Sequence, residues 1–337
     1  MLMAKNTTQE PQGIGHIILL LGILIVAGVI FMAWKTVSNK SDKIETATSS
    51  TTPESSEEKN KKSTEISVID SGNKILTDGL ADPSVIKTDT GFRMYINRQS
   101  GGQGGYLTYT STDGDTWEKE LDVIFPGVAT GRAVPIETGV RFYYPGAQPI
   151  RPSDPPAAIQ SSTSTDGKVF TKDSGNRVEP RDSYYLEGPT AFQLADKSWR
   201  MYFDENSIAS GNQRDGQIWG AGSTDGLAWT RDTSATIVYD QIEKDALGSQ
   251  GAWSQVLHPF VLANPKGGYI MLYNAHSEVF AATSTDGITW EKLGKIGLHG
   301  ADVDGYFESD DTIHLFYGDF SEQTGGLIYD AHLKVTN

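Results

Sequence analysis

The chain has 337 residues, a formal net charge of −15 and no cysteine, which excludes disulfides, thiolate metal sites and thiol nucleophiles. Residues 1–65 hold 7 basic and 7 acidic side chains, so the whole surplus of negative charge resides in residues 66–337. A body of that sign repels polyanions, which excludes nucleic acid as an expected partner.

In chain order, a short tail (1–13) precedes an apolar run from Ile14 to Trp34 whose only ionisable side chain is His16. At about 1.5 Å per residue such a run spans roughly 30 Å and reads as a transmembrane helix. It is too long for the core of a signal peptide and no small-residue cleavage site follows, so it is expected to remain as an anchor. Lys35, Lys40 and Lys43 follow the helix and Lys5 precedes it, and a literal positive-inside count puts the body in the cytoplasm. Residues 35–65 are rich in Ser, Thr, Glu and Lys, the composition of a solvated stalk, and this suits a cell exterior better. The expectation is a single-pass protein of the cell membrane with an extracellular body.

The body repeats. Ser-Thr-Asp-Gly begins at Ser111, Ser164, Ser223 and Ser284, each copy followed three residues after its Gly by Trp117, Phe170, Trp229 or Trp290. Intervals of about 50–60 residues mark one supersecondary unit. Each tetrapeptide is a tight turn, Gly supplying positive φ and Asp bonding nearby backbone N–H groups, between a short alternating strand and one that begins at the aromatic. Upstream of each lies a second hairpin, Asp82–Ile86 with Phe92–Ile96 in the first unit. It recurs as Ala133–Ile136 with Val140–Tyr144, Pro189–Leu194 with Trp199–Phe203, and Pro259–Leu262 with Tyr269–Tyr273. A fifth pair, Val303–Phe307 with Thr312–Tyr317, is followed by a single strand, Gly326–His332, and the strand it lacks is available at Ser67–Leu76. Pairing the two ends closes a ring and removes exposed edges. The expected fold is all-β, a five-bladed β-propeller over residues 66–337.

In such a ring the tetrapeptide turns share one face, and the longer connections, 145–156, 173–186, 205–216 and 240–257, fall on the other, where binding residues are expected. The tetrapeptides are therefore read as structural. First strands line the axis, and at or near their starts stand Asp82, Arg132, Glu187, His258 and Asp302. Polar groups converging from distant segments mark a candidate site. Paired carboxyls in a cleft can divide into an acid and a base for glycoside hydrolysis. Asp82 as base and Glu187 as acid would suit inversion. Tyr95, Tyr144, Tyr184, Tyr185, Trp253 and Tyr273 are aromatic candidates for stacking on sugar rings, and Arg132, His258 and Asp302, with Tyr144 and Tyr273, complete the substrate-binding set.

The start Asp82-Pro83-Ser84-Val85, the segment Glu187-Gly188-Pro189 and the Ser-x-Asp-Gly-x-x-Trp turns resemble the five-bladed propellers of the arabinanase, levansucrase and invertase superfamily, glycoside hydrolase family 43 in particular. The resemblance covers residues 66–337. It implies Asp82 as general base, Glu187 as general acid, and a metal ion, Ca²⁺ in this reading, near the axis through His258. It also implies a third acid, from the second blade, that orients Glu187. Here the chain departs from the pattern, because Gly131-Arg132-Ala133-Val134 has no carboxylate. The alternatives therefore stay open: a glycosidase acting on neutral carbohydrate, a non-catalytic glycan-binding propeller, or a protein-interaction propeller. The turns are also similar to the Asp-box of sialidases, but one residue shorter, and a sialidase needs six blades and an arginine triad, so an exo-sialidase ranks third among the alternatives.

Overall fold

The computed structural model describes residues 64–77, 79–98, 105–126, 130–147, 156–208, 215–248, 254–319 and 326–336. The transmembrane helix expected at 14–34 and all but the end of the 35–65 linker lie outside the described residues. Among those described, no helix is long and apolar enough to cross a membrane.

The chain enters through β1 (Glu65–Leu76). Blade one follows as β2 (Leu80–Thr88), β3 (Gly91–Arg98), β4 (Gly105–Ser111) and β5 (Glu118–Pro126). Blade two is β6 (Arg132–Ile136), β7 (Gly139–Pro145), β8 (Ile159–Ser164) and a two-residue β9 (Thr171–Lys172). Blade three is β10 (Tyr184–Gln193), β11 (Trp199–Ser207), β12 (Gln217–Ser223) and β13 (Trp229–Ile237), after which helix α1 (Gln241–Leu247) leads on. Blade four is β14 (Leu257–Ala263), β15 (Tyr269–Ala275), β16 (Glu278–Ser284) and β17 (Glu291–His299). Blade five is β18 (Ala301–Ser309), β19 (Thr312–Asp319) and β20 (Leu327–Thr336). Each blade is an antiparallel four-stranded sheet in sequence order, and the fifth is completed by β1, paired along β20 from Glu65↔Thr336 to Leu76↔Ile328. The ring closes as the sequence predicts, and with five blades the architecture required for a sialidase is not met.

The tetrapeptide turns explain themselves once the neighbouring blade is in place. In each, the Ser Oγ accepts the Gly N–H at 2.8–2.9 Å and the Asp Oδ1 accepts the next two backbone N–H groups at 2.8–3.0 Å. Those bonds pull Asp113, Asp166 and Asp286 down to a pKa of about 2. The turn carbonyl then serves the preceding blade: Tyr95 donates to Gly167 O, Tyr143 to Gly226 O and Tyr202 to Gly287 O, at 2.7–2.8 Å. Each such buried bond contributes about 1 kcal/mol net. Arg93 and Arg141, two residues before their tyrosines, reinforce the seam by donating to Asp166 O and Asp225 O. Between blades four and five the seam is an aliphatic core around Leu272, Val279, Val303, Ile313 and Leu333. The motif most visible in the sequence thus holds blades together.

Candidate active site

Four first strands begin with the same backbone irregularity. The strand pairings shift register at Ala81/Ser84, Glu187/Thr190, Leu257/Phe260 and Ala301/Asp304. Within those bulges Asp82, Gly188, His258 and Asp302 take φ of 49°, 53°, 50° and 53°. A bulge re-aims a side chain, and holding a non-glycine residue in this left-handed region costs about 1–3 kcal/mol, strain that clusters at functional sites. Pro83, Pro189 and Pro259 follow three of the four. Blade three differs in one respect. Its left-handed residue is a glycine, because a Cβ there would lie 2.7 Å from Asp204 Oδ1 and 3.0 Å from His258 Cα. Its acid, Glu187, therefore stands one residue earlier than the polar residues of the other bulged blades.

Four of the five axial residues inferred from the sequence form one network and Arg132 pairs separately beside it, both arrangements using acids that the sequence reading missed. Asp82 Oδ2 accepts from Asn97 Nδ2 and the Thr130 N–H, both at 2.9 Å, and its carboxyl is hydrogen-bonded to Asp302. Asp302 also receives His258 Nδ1, while its own N–H donates to Asn274 Oδ1 at 3.2 Å. The His258 N–H donates to Asp204 Oδ1 at 2.9 Å. Asn206 Nδ2 bridges Asp204 Oδ2 at 2.6 Å and Glu187 Oε2 at 3.4 Å. Arg132 Nη1 donates to Asp304 Oδ2 at 2.7 Å, and Asp304 Oδ1 accepts the Val85 N–H. Asp82, Arg132, Glu187, Asp204, Asp302 and Asp304 are all buried, and the His258 side chain is 18% exposed.

Five carboxyls against two cations in so dry a place cannot all ionise. Burial, then the Asp302 charge, pushes Asp82 up to about 7. Burial, then the Asp204 charge, pushes Glu187 up to about 8, and burial raises Asp204 itself. Burial works against a charged His258, yet the facing carboxylates, Asp302 foremost, outweigh it and raise the imidazole to about 10. Asp302 is lowered although burial opposes this, because the His258 charge dominates the groups that favour its anion. Burial raises Asp304 to about 6 in spite of Arg132. At neutral pH an Asp302 carboxylate pairs with a His258 imidazolium, Glu187 keeps its proton and Asp82 is near its midpoint.

One donor atom each of Glu187, Asp204 and His258 lies within 4.8 Å of the others, which is where the expected Ca²⁺ would be held. These residues do not suit it. Ca²⁺ takes six to eight oxygen ligands, whereas this cluster offers carboxyl oxygens from only two residues and both Asp204 oxygens are already engaged. Among the described residues, the space between Asp82, Thr130, Arg132, Gly188, His258 and Asp302 is about 10 Å³, the room of one water molecule.

The aromatic expectations fare differently. Tyr144 is buried between blades, bonded to Ser162 Oγ at 3.0 Å and packed on Phe125. Tyr273 is fully buried and donates to Glu243 Oε1 of α1 at 2.7 Å. Tyr95 is a seam residue. These three are corrected from sugar-stacking candidates to core residues, since a ring that fills the space between blades presents no face to a ligand. Tyr185 is buried as well, Tyr184 packs against the Arg181 guanidinium at 4.3 Å, and Trp253 lies outside the described residues. The missed partners carried a faint signal: Asn97, Asn206 and Asn274 are asparagines near the ends of the second strands of blades one, three and four.

No protein-family model and no curated protein matches the chain. Solved structures do. A thermostable family-43 glycoside hydrolase is 16% identical, with 79% of this chain and 96% of that one covered at a TM-score of 0.59. An endo-arabinase from Bacteroides thetaiotaomicron is 12% identical, covering 79% and 97% at 0.54. A β-1,2-mannobiose phosphorylase from Listeria innocua, in complex with β-1,2-mannobiose, is 13% identical, covering 77% and 92% at 0.53. At these identities the likeness establishes architecture: the chain is a five-bladed β-propeller, and propeller glycoside hydrolases are among its structural neighbours.

Proposed function

We propose that the propeller cleaves glycosidic bonds of neutral carbohydrate at the axial end where Asp82 and Glu187 meet the His258–Asp302 pair, with inversion of configuration. The observation that carries this reading is the separation of roles by environment: Glu187, raised to about 8, keeps its proton at neutral pH, and Asp82, raised to about 7, loses its own first. Glu187 would protonate the leaving oxygen and Asp82 would take a proton from water. Both states coexist between about pH 7 and 8. Asp204 replaces the missing second-blade acid. It stands beside Glu187, shares Asn206 with it, and is the charge that most raises its pKa. Arg132 is tied to Asp304, while His258 keeps part of its ring open to a ligand. The propeller is held outside the cell by residues 14–34, a reading supported by their apolar composition and by the polar stretch that follows.

The test is a screen of the purified protein on aryl glycosides, arabinan and xylan, with Asp82→Asn and Glu187→Gln as controls. Removal of either group lowers turnover 10²–10⁴-fold, and activity untouched by both changes refutes the assignment. A second reading, a glycan-binding propeller without turnover, draws on Arg132 occupying the place of the second-blade acid and on the one-water space at the axis. It predicts binding on a glycan array with no product formed.

A further inference from the structure

The seam between blades five and one breaks the pattern of the first three seams. In blades one, two and three the second strand carries Arg-x-Tyr: Arg93 and Tyr95, Arg141 and Tyr143, Arg200 and Tyr202. Each guanidinium pairs with an acid of its own blade, Glu120, Asp173 or Asp232. Blade five has His314 and Phe316 at the corresponding places, as the common pairing of Ser84 with Tyr95 and Asp304 with Phe316 shows. Asp330, on β20, stands where blade one has Thr108, since Phe316 pairs with Asp330 as Tyr95 does with Thr108, and the turn of blade one faces this seam. In that turn the residue after the glycine is Asp115, whereas the other three turns have Lys168, Leu227 and Ile288. The cation of this seam has been replaced by a histidine, and two acids, Asp115 and Asp330, have been added.

We propose that Asp115, His314 and Asp330 form a binding site for a divalent transition-metal ion of the zinc class, which joins the first blade to the last. One donor atom from each residue lies within 4.8 Å of the other two. His314 Nε2 and Asp330 Oδ2 are 3.3 Å apart. That is long for a hydrogen bond, whose usual N···O distance is about 2.9–3.0 Å. It matches the edge of a tetrahedron with ligands about 2.0–2.1 Å from its centre, which is about 3.3–3.4 Å. Asp330 is buried, and its Oδ1 has no hydrogen-bond partner, a carboxylate oxygen left over after desolvation that a cation would satisfy. The second ring nitrogen of the histidine is already oriented: His314 Nδ1 stands 3.1 Å from the Tyr306 hydroxyl. This is the outer partner that fixes the tautomer of a ligating imidazole. In the tautomer that donates Nδ1–H to Tyr306, the lone pair of Nε2 faces Asp330 Oδ2 and would ligate the ion. Two carboxylates and one imidazole suit Zn²⁺, with water as the fourth ligand. Their charge cancels that of the ion.

The experiment uses the full-length protein, stripped with EDTA and dialysed against zinc chloride. Bound zinc is counted by mass spectrometry and the melting temperature is recorded. The axial acids are a possible second site, so the readout is the difference between wild type and Asp115→Asn, an exposed position whose change leaves the core intact. Wild type should bind one zinc more per chain than Asp115→Asn and melt about 5 °C higher at saturating zinc, an increase the variant lacks. Tyr306→Phe should weaken this binding 10–100-fold, and cobalt in place of zinc should give the visible absorption of a tetrahedral site in wild type alone. Equal zinc content and equal melting shifts in wild type and Asp115→Asn, or no zinc retained by wild type, would overturn the site.

Discussion

Replacing Asp204 by Asn keeps the shape of a buried side chain and removes one charge beside Glu187. Donor atoms of the two carboxyls lie within 4.8 Å. At an effective dielectric constant near 20, two unit charges at that separation repel by about 3.5 kcal/mol, the equivalent of about 2.5 pH units. The His258 imidazolium lies against Asp204 as well and offsets part of its field, so the net effect on Glu187 is about one to two units. Glu187, pushed up to about 8 in the wild type, should then titrate between about 6 and 7, because burial still holds it above an ordinary carboxyl. The assay is a pH titration followed by the side-chain carboxyl carbon signals of ¹³C-glutamate-labelled protein, with Glu187→Gln assigning the resonance. It needs no substrate and is independent of the proposed reaction. A wild-type Glu187 that titrates below about 5, or a titration unmoved by Asp204→Asn, would show that the reasoning about this site is wrong.

The same carboxyl makes stability depend on pH in a defined direction. The unfolded chain ionises Glu187 near 4.5 while the folded chain keeps the proton to about 8, so the native state binds more protons between those values and stability falls as pH rises. Glu187→Gln has no proton to lose, and denaturant unfolding at pH 8.5 should find it more stable than wild type by a few kcal/mol; equal or lower stability would contradict the raised pKa. Ring closure is tested by truncation. Removing residues 1–62 should leave a monomeric domain with one cooperative melting transition, whereas removing 1–77 takes away β1, strips the edge of β20 and should produce aggregation on size-exclusion chromatography. A monodisperse, equally stable 78–337 fragment would refute the closure.

The repeat and the binary pattern of its strands were legible because they are local. A turn that needs Asp for its backbone N–H groups and Gly for positive φ recurs wherever that turn recurs, and the missing strand of blade five had one candidate, Ser67–Leu76. The short helix α1 was passed over although its capping box is written out, Asp240 with Glu243 three residues later. Seven residues are too few for apolar periodicity to show. The aromatics misled for a related reason. Nothing in the sequence distinguishes a tyrosine that faces a ligand from Tyr144 or Tyr273, whose hydroxyls find Ser162 and Glu243 only after the blades have packed.

The sequence by itself determined the number of blades, the way the ring is closed and three of the five axial acids, Asp82, Glu187 and Asp302, since each follows from patterning along one strand or one turn. Only the tertiary structure decided how those acids are charged. The protonation of Glu187 depends on Asp204, that of Asp82 on Asp302, and the imidazolium of His258 on three carboxyls from two other blades. Burial and the mutual field of groups far apart in the chain are properties of the closed ring, where water is excluded and charges a few ångströms apart are poorly screened.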